Sequence, residues 1–238
     1  MAKTKKSWPK RLLLGTLLLL VLLTGGFFWY VSDYYRAEDL AVSVLSQGDN
    51  IVQQDNLTIL SPSISSDTAL IFYPGAKVEA IAYLPLLDQI RRTGVTCILV
   101  DMPFHMAIFD SDAAQDVMEQ FPDVEHWYLA GHSMGGAMAS QFASQHPQQV
   151  DDLILLGAYL YGDYPVEQML TVYGSLNQSV EDKLDYSENV VEIQGGNHAQ
   201  FGNYGLQKGD PPATISSQEQ QKQTVTAIQD FLERNRKS

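Results

Sequence analysis

The longest apolar stretch of the chain lies near its start. Leu12 to Val31 is a run of 20 residues without a charge. In a helix, at about 1.5 Å per residue, such a run spans a hydrocarbon core of about 30 Å. Aromatic residues from Phe27 to Tyr30 crowd its far end, which is typical of a membrane interface. The pattern therefore predicts a transmembrane anchor at residues 12–31.

The charges beside this run predict its orientation. Five basic side chains and no acidic one precede it, at Lys3, Lys5, Lys6, Lys10 and Arg11. Because a basic flank stays in the cytoplasm, residues 1–11 are predicted to be a basic cytoplasmic segment, with the rest of the chain outside the cell membrane. The alternative is a cleaved signal peptide, whose apolar core would be only about 7–15 residues long and would end at a small-residue site.

From residue 68 onward, short apolar runs alternate with helical patterns. The predicted strands are 69–73, 97–100, 127–130, 153–156, 169–173 and 190–193. Between them, apolar residues recur at helical spacing, and Ser216 with Glu219 forms a capping box before the last helix. This alternation predicts an α/β fold, a mostly parallel sheet with helices on both faces. Ligands are then expected at the carboxyl ends of the strands.

Residues 32–67, between the anchor and this domain at 68–238, are interpreted as a polar juxtamembrane segment. Within it, Glu38 to Leu45 is predicted to form a short helix and Leu57 to Leu60 a strand. A loop rich in serine follows.

Composition narrows the range of partners. The net charge is −13, and all 28 acidic residues follow the basic segment. An acidic body repels phosphate, so no nucleic-acid partner is expected. Cys97 is the chain's one cysteine, so an internal disulfide and a cysteine-based metal site are both excluded.

Gly131-His-Ser-Met-Gly135 matches the pattern G-x-S-x-G of a nucleophile elbow. It directly follows a predicted buried strand and opens a helix of small residues, which is the setting that this sharp turn requires. Ser133 is therefore the predicted nucleophile, and the Met134 amide at the helix start is predicted to donate to an oxyanion. The alternative is a glycine-rich turn without chemistry.

A second oxyanion donor is expected after the first strand of the domain. The segment Tyr73-Pro-Gly-Ala-Lys77 stands there, and the amide of Ala76 is preferred to that of Lys77. A plain turn is the alternative. The predicted base is His198, because it follows the last strand and comes after the nucleophile along the chain. His132, inside the elbow, is predicted to point away from Ser133.

The third member of a triad should orient the histidine. No carboxylate stands at the expected place, after the strand 169–173, and Asn177 occupies it instead. Two alternatives remain open. Glu181 or Asp182 could swing in from a few residues farther along, or Asp163 could reach the histidine from the neighbouring strand.

These residues together resemble the α/β-hydrolase superfamily, and more narrowly the small hydrolase-fold-5 group related to dienelactone hydrolases. The resemblance covers roughly residues 68–232, and Gly195-Gly-Asn-His-Ala-Gln-Phe-Gly202 carries it most specifically. It implies an α/β-hydrolase fold with Ser133 and His198 as nucleophile and base, and Met134 and Ala76 as the oxyanion hole. The family usually has Asp-Gly where this chain has Asn177-Gln178.

The site is expected to be open, because residues 157–168 are too few to form a lid domain between the two strands they join. The loop from Ala199 to Ser217 is expected to cover it in part.

The sequence thus predicts a membrane-anchored extracytoplasmic serine hydrolase, typical of a bacterial cell surface. It would act on ester or related acyl bonds of a small molecule or an acylated polymer, and it would need neither a metal nor an organic cofactor. A peptidase would use the same residues. The alternative from another class is a catalytically reduced hydrolase fold that serves as a cell-surface binding or scaffold protein, which Asn177 would explain.

Overall fold

The computed structural model describes residues 8–235, which fall into two compact units. The first unit ends at Tyr34 and contains the helix α1 (Trp8–Ser32). Residues Lys10–Ser32 are long and apolar enough to cross a membrane, and they include the predicted anchor at 12–31. Part of the predicted basic segment lies outside the described residues, namely Lys3, Lys5 and Lys6.

The second unit begins at Tyr35 and is built on one sheet. Within residues 35–235 this sheet has eight strands: β1 (Ile51–Gln54), β2 (Leu57–Leu60), β3 (Thr68–Tyr73), β4 (Thr96–Val100), β5 (His126–His132), β6 (Asp152–Leu156), β7 (Met169–Gly174) and β8 (Val190–Ile193). They lie in the order β1-β2-β4-β3-β5-β6-β7-β8. β2 runs antiparallel to both neighbours, and the other neighbouring pairs are parallel. The carboxyl ends of β3 to β8 therefore share one edge.

The helices described in this unit are α2 (Asp39–Gln47), α3 (Leu84–Arg91), α4 (Ala113–Gln120), α5 (Met134–Gln145), α6 (Gln178–Glu181) and α7 (Ser217–Asn235). Alternate strand residues point to opposite faces. Leu70 and Phe72 of β3 accordingly join the core cluster under α3 and α7, whereas Ile71 and Tyr73 join the cluster under α4 and α5. Helices thus cover both faces, and the predicted α/β-hydrolase fold class is confirmed.

Several local predictions also match the structure. The Ser216 hydroxyl accepts the Glu219 N–H at 3.2 Å, so Ser216 caps the start of α7 as the first half of a capping box does. Residues 157–168, between β6 and β7, contain only a short 3-10 helix at 166–168 within the described chain, which agrees with the absence of a lid. Cys97 is fully buried in β4.

The predicted domain boundary at residue 68 needs correction. The strands β1 and β2 belong to the same sheet as β3, so residues 35–67 are part of the body and not a separate juxtamembrane segment. The Tyr35 N–H donates to the Lys77 carbonyl at 2.7 Å, and the Tyr35 carbonyl accepts the Glu79 N–H at 2.9 Å. The boundary was missed because β1 is short and mostly exposed, with two glutamines and little apolar pattern.

At the junction of β5 and α5, the first turn of the helix packs directly against the backbone at the end of β3. A Cβ atom on Gly135 would lie 2.2 Å from the carbonyl oxygen of Tyr73 and 2.3 Å from that of Pro74. A Cβ atom on Gly131 would lie 2.4 Å from the carbonyl carbon of Gly135. These neighbours are backbone atoms, which cannot turn aside as a side chain can. Only glycine therefore allows the first turn of α5 to rest on the end of β3.

We expect Gly135→Ala to lower the free energy of unfolding by about 1–3 kcal/mol, which is the usual cost of overpacking. The overlap with the Tyr73 and Pro74 carbonyls would also push α5 away from β3. Thermal unfolding of the full chain in detergent micelles would measure the change. Gly26→Ala is a matched control, since a Cβ there meets nothing within 4 Å. Equal stability of both variants would contradict this account of the junction.

Candidate active site

Ser133 occupies a strained turn between β5 and α5. Its φ of 54° and ψ of −121° lie in a region that residues with a side chain rarely adopt. The Ser133 N–H donates to the Leu156 carbonyl of β6 at 3.0 Å, which ties the turn to the neighbouring strand. Strain held this firmly by its surroundings is characteristic of functional sites. The structure thus places the predicted nucleophile in the elbow at the carboxyl edge of the sheet.

The loop after β3 presents one amide that is unused. The Gly75 N–H donates to the Tyr83 hydroxyl at 3.1 Å, and the Lys77 N–H donates to the His105 carbonyl at 2.7 Å. In the described part of the chain, the amides of Ala76 and Met134 donate to no acceptor. This difference favours Ala76 over Lys77 as the second oxyanion donor. Gly135, next to Met134, packs against Tyr73 and Pro74, which shortly precede Ala76 along the chain.

His198 follows β8, and its ring meets Asn177. Nδ2 of Asn177 lies 2.7 Å from Nδ1 of His198, and Oδ1 of Asn177 accepts the Ser179 hydroxyl at 2.8 Å. Because a hydroxyl can donate or accept, either orientation of the carboxamide satisfies Ser179. In the orientation that the structure shows, Nδ2 donates to Nδ1, and the ring carries its proton on Nε2. When the carboxamide is turned over, Oδ1 accepts the N–H of Nδ1, and Nε2 becomes the basic nitrogen.

The structure brings none of the alternative acids to this histidine. Asp163, Glu181 and Asp182 are exposed, and none of the three lines the cavity that contains Ser133 and His198. The backbone of Asp163 is fixed instead to the Ser144 hydroxyl, at 2.6 and 2.9 Å. The position at the histidine belongs to Asn177, which is itself buried.

Ser133 and His198 line one open cavity of about 480 Å³. This volume is in the range of small-molecule sites. Its wall is polar and apolar in about equal parts, and residues after His198 form one side of it, in agreement with the predicted partial cover. The other lining residues are Leu176, Asn177, Gln178, Ser179, Gln207, Lys208, Gly209, Asp210 and Pro211.

A buried pair of side chains, His132 and Tyr83, connects the two halves of the site. Tyr83 Oη lies 2.7 Å from His132 Nδ1, and His132 Nε2 lies 2.9 Å from the His198 carbonyl oxygen. A carbonyl only accepts, so Nε2 carries the proton and Nδ1 accepts from Tyr83. Both ring nitrogens of His132 therefore bond to residues other than Ser133. The sequence pattern shows Tyr83 only as one of the apolar residues at helical spacing, and it does not predict the hydrogen bonds of its hydroxyl.

Burial sets the charge of both histidines. Burial lowers the pKa of His132 well below its ordinary value, the nearby His198 lowers it further, and the hydrogen bond to the His198 backbone opposes both. Burial also lowers the pKa of His198, while the negative charge of Asp210 acts in the opposite direction. Both rings are therefore neutral near pH 7, and a neutral ring is the form that a general base needs.

Asp210 is a site residue that the sequence analysis missed. Its carboxylate accepts the backbone N–H of His198 at 3.1 Å and that of Ala199 at 2.8 Å. The available signal was its place in the loop that was expected to cover the site. Among the described residues, no group of three or more His, Cys, Asp or Glu side chains is placed to hold a metal ion.

The chain is similar in sequence to a known protein family and to individual proteins. A model of the alpha/beta hydrolase family matches residues 69–222. The "Putative non-heme haloperoxidase" of Mycobacterium phage D29 is 26% identical over 156 residues, which are 62% of this chain and 55% of that protein. The chain spans about half the length of the curated relatives it matches.

Two solved structures share the fold over most of their length. An a/b serine hydrolase without lid from Xanthomonas campestris has a TM-score of 0.52 and 14% identity, over 75% of this chain and 88% of that one. A bacterial membrane phospholipase A has a TM-score of 0.51 and 16% identity, over 96% of this chain and 100% of that one.

We expect Tyr83→Phe to lower the free energy of unfolding by about 1–3 kcal/mol, because it leaves the buried Gly75 N–H and His132 Nδ1 without partners. The loop that carries Ala76 would also lose its tie to the elbow. Thermal unfolding measures the change, and the exposed Tyr161 provides the control variant Tyr161→Phe. A Tyr83→Phe protein as stable as this control would show that the bonds through Tyr83 contribute nothing.

The lowered histidine pKa values predict a loss of stability in acid. The unfolded chain takes up these protons as the pH falls through the ordinary value of 6.5, whereas the folded chain takes them up only at lower pH. Stability is thus complete above that value and falls below it. We expect the unfolding temperature to drop from about pH 8 to about pH 5, and to drop less in His132→Gln. An equal drop in that variant would exclude His132 as a cause.

Proposed function

The chain belongs to the alpha/beta hydrolase family, and we propose that it is a membrane-anchored serine hydrolase that cleaves ester or related acyl bonds. The observation that carries this proposal is the common cavity of Ser133, in its strained elbow, and His198. The family, the lidless serine hydrolase and the membrane phospholipase A support hydrolase activity in general. The serine chemistry is inferred from the residues of this chain.

In the proposed reaction, Nε2 of His198 takes the proton of the Ser133 hydroxyl while Oγ attacks the substrate carbonyl carbon. The amides of Met134 and Ala76 donate to the oxygen that becomes negative. When the tetrahedral intermediate collapses, the imidazolium gives its proton to the leaving alcohol and an acyl-enzyme remains. Water, activated by the same histidine, then releases the acid and restores Ser133.

Asn177 takes the orienting role in this mechanism. For this role its carboxamide is turned over, so that Oδ1 accepts the N–H of His198 Nδ1 and Nε2 is free to act as the base. Unlike an aspartate, it brings no negative charge to the imidazolium. This neutral partner is the observation that favours the alternative function, a binding protein with reduced catalysis. The unused amides of Ala76 and Met134 favour the enzyme, because folding does not require them to be free.

The cavity suggests the kind of substrate. Its open mouth and its wall of mixed polar and apolar groups suit a small ester or the acyl group of a larger molecule. The membrane anchor is proposed from Lys10–Ser32, which is long and apolar enough to span a bilayer. The basic residues before it support a cytoplasmic N-terminus and an extracytoplasmic catalytic domain.

The decisive experiment is labelling of the full-length chain, in detergent micelles, with a fluorophosphonate probe. We expect wild-type protein to be labelled, Ser133→Ala not at all, and His198→Ala at least about a hundredfold more slowly, since the base typically contributes 10²–10⁴-fold. Absence of labelling in folded wild-type protein would reject the enzyme and favour the binding protein.

Three further variants identify the orienting group in the same assay. Asn177→Ala should slow labelling, because His198 would lose the partner at Nδ1. Asp163→Ala and Asp182→Ala are matched controls from the same edge of the sheet and should label at the wild-type rate. Loss of labelling in either control would show that a carboxylate completes the triad by another route.

A further inference from the structure

We propose that Asp210 supplies the negative charge that Asn177 lacks, and that it acts on His198 through the backbone of that residue rather than through its ring. Asp210 would then be a positioning residue for the base. The inference rests on the proposed serine hydrolase mechanism, in which the His198 ring becomes positively charged when it takes the proton of Ser133.

Both oxygens of the Asp210 carboxylate bond to the turn that carries the base. Oδ1 accepts the His198 N–H at 3.1 Å, and Oδ2 accepts the Ala199 N–H at 2.8 Å. Hydrogen bonds to an ionised carboxylate are stronger than those between neutral groups. Two successive amides therefore hold one negative charge beside the residue whose ring must carry a positive charge during turnover.

The loop that bears Asp210 is fixed on both sides of it. The Lys208 N–H donates to the Tyr35 hydroxyl at 2.9 Å, and the Asn197 side chain donates to the Pro211 carbonyl at 2.9 Å. The Thr214 N–H donates to the Gly195 carbonyl at 2.8 Å. The carboxylate is thus held at the site by its neighbours, as a preorganised charge must be.

The electrostatic need at this position is specific. Asn177 is neutral, and burial lowers the pKa of His198, so the positive ring is disfavoured unless a negative charge lies nearby. Asp210 meets this need, since its charge acts to raise that pKa. It is also the one carboxylate among the residues that the structure places along the cavity wall.

The other titratable groups that face His198 do not supply a negative charge. The ring of His132, centred 4.6 Å from that of His198, is buried and neutral. The phenol of Tyr204, on which the charge of Asp210 also acts, is neutral as well, because burial raises its pKa well above the ordinary value. Lys208, which lines the same cavity, is a cation and would oppose a second positive charge.

The test is a double-mutant cycle on the full-length chain in detergent micelles. The variants are Asp210→Asn, Asn177→Asp and the two combined. The first measurement is an NMR titration of ¹³C-labelled histidine, with the His198 signal assigned by its absence in His198→Ala. We expect Asp210→Asn to lower the pKa of His198 and Asn177→Asp to raise it. The control, Asp185→Asn, removes an exposed carboxylate elsewhere and should leave this pKa unchanged.

The second measurement is the hydrolysis of p-nitrophenyl acetate by the same variants. We expect Asp210→Asn to lower kcat/KM roughly ten- to hundredfold, as loss of a charged hydrogen-bond partner does. The loss should be smaller when Asn177→Asp is present, because two charges acting on one base are not additive. The proposal would be overturned if the pKa of His198 were unchanged in Asp210→Asn, or if kcat/KM fell equally with and without Asn177→Asp. Asp210 would then only hold its loop in place.

Asn177→Asp alone keeps the inference testable if Asp210→Asn does not fold. In one serine protease, the reverse exchange of the triad aspartate for asparagine lowers kcat about ten-thousandfold. If Asp210 already supplies the charge, Asn177→Asp should raise kcat far less than that, and a rise of the full size would contradict the inference. The titration requires no turnover, so an inactive Ser133 would refute the proposed function without deciding the role of Asp210.

Discussion

The site depends on how closely the first turn of α5 rests on the end of β3. That approach is possible because Gly131 and Gly135 have no side chains, and the surrounding contacts are all backbone. It accompanies the strained conformation of Ser133, and it packs the helix start that bears the Met134 amide against the strand end that leads to Ala76. One steric constraint therefore fixes both the turn of the serine and the two segments that carry the proposed donors.

The electrostatics of the site follow from burial. A buried histidine loses its proton unless a negative charge compensates, and here two neighbouring histidines are both neutral in the resting protein. His132 uses this neutrality structurally, because its fixed tautomer joins Tyr83 to the backbone of His198. His198 must instead become positively charged during each proposed turnover, when it takes the proton of Ser133. One imidazole thus links two parts of the structure in a fixed tautomer, and the other carries a proton.

Most of the fold could be predicted because strands buried on both faces and helices of fixed period leave strong patterns. The elbow and His198 were also readable, since their places follow from the order of the strands. β1 was missed because this mostly exposed edge strand carries few apolar residues. β2 was predicted as a strand but was assigned to the wrong segment, because its own pattern does not show which sheet it joins. Asp210 and the bonds of Tyr83 could not be predicted, since pattern does not show which way a loop acid or a core hydroxyl points.

Tyr35 gives the start of the body a part in the site. Its backbone bonds to Lys77 and Glu79, immediately after the residue whose amide is the second proposed oxyanion donor, and its hydroxyl holds the loop of Asp210. One residue thus braces the site from two sides. Residues 35–38 are consequently no dispensable spacer after α1, and a form of the protein shortened by removal of α1 must retain Tyr35 if the two loops are to keep their shape.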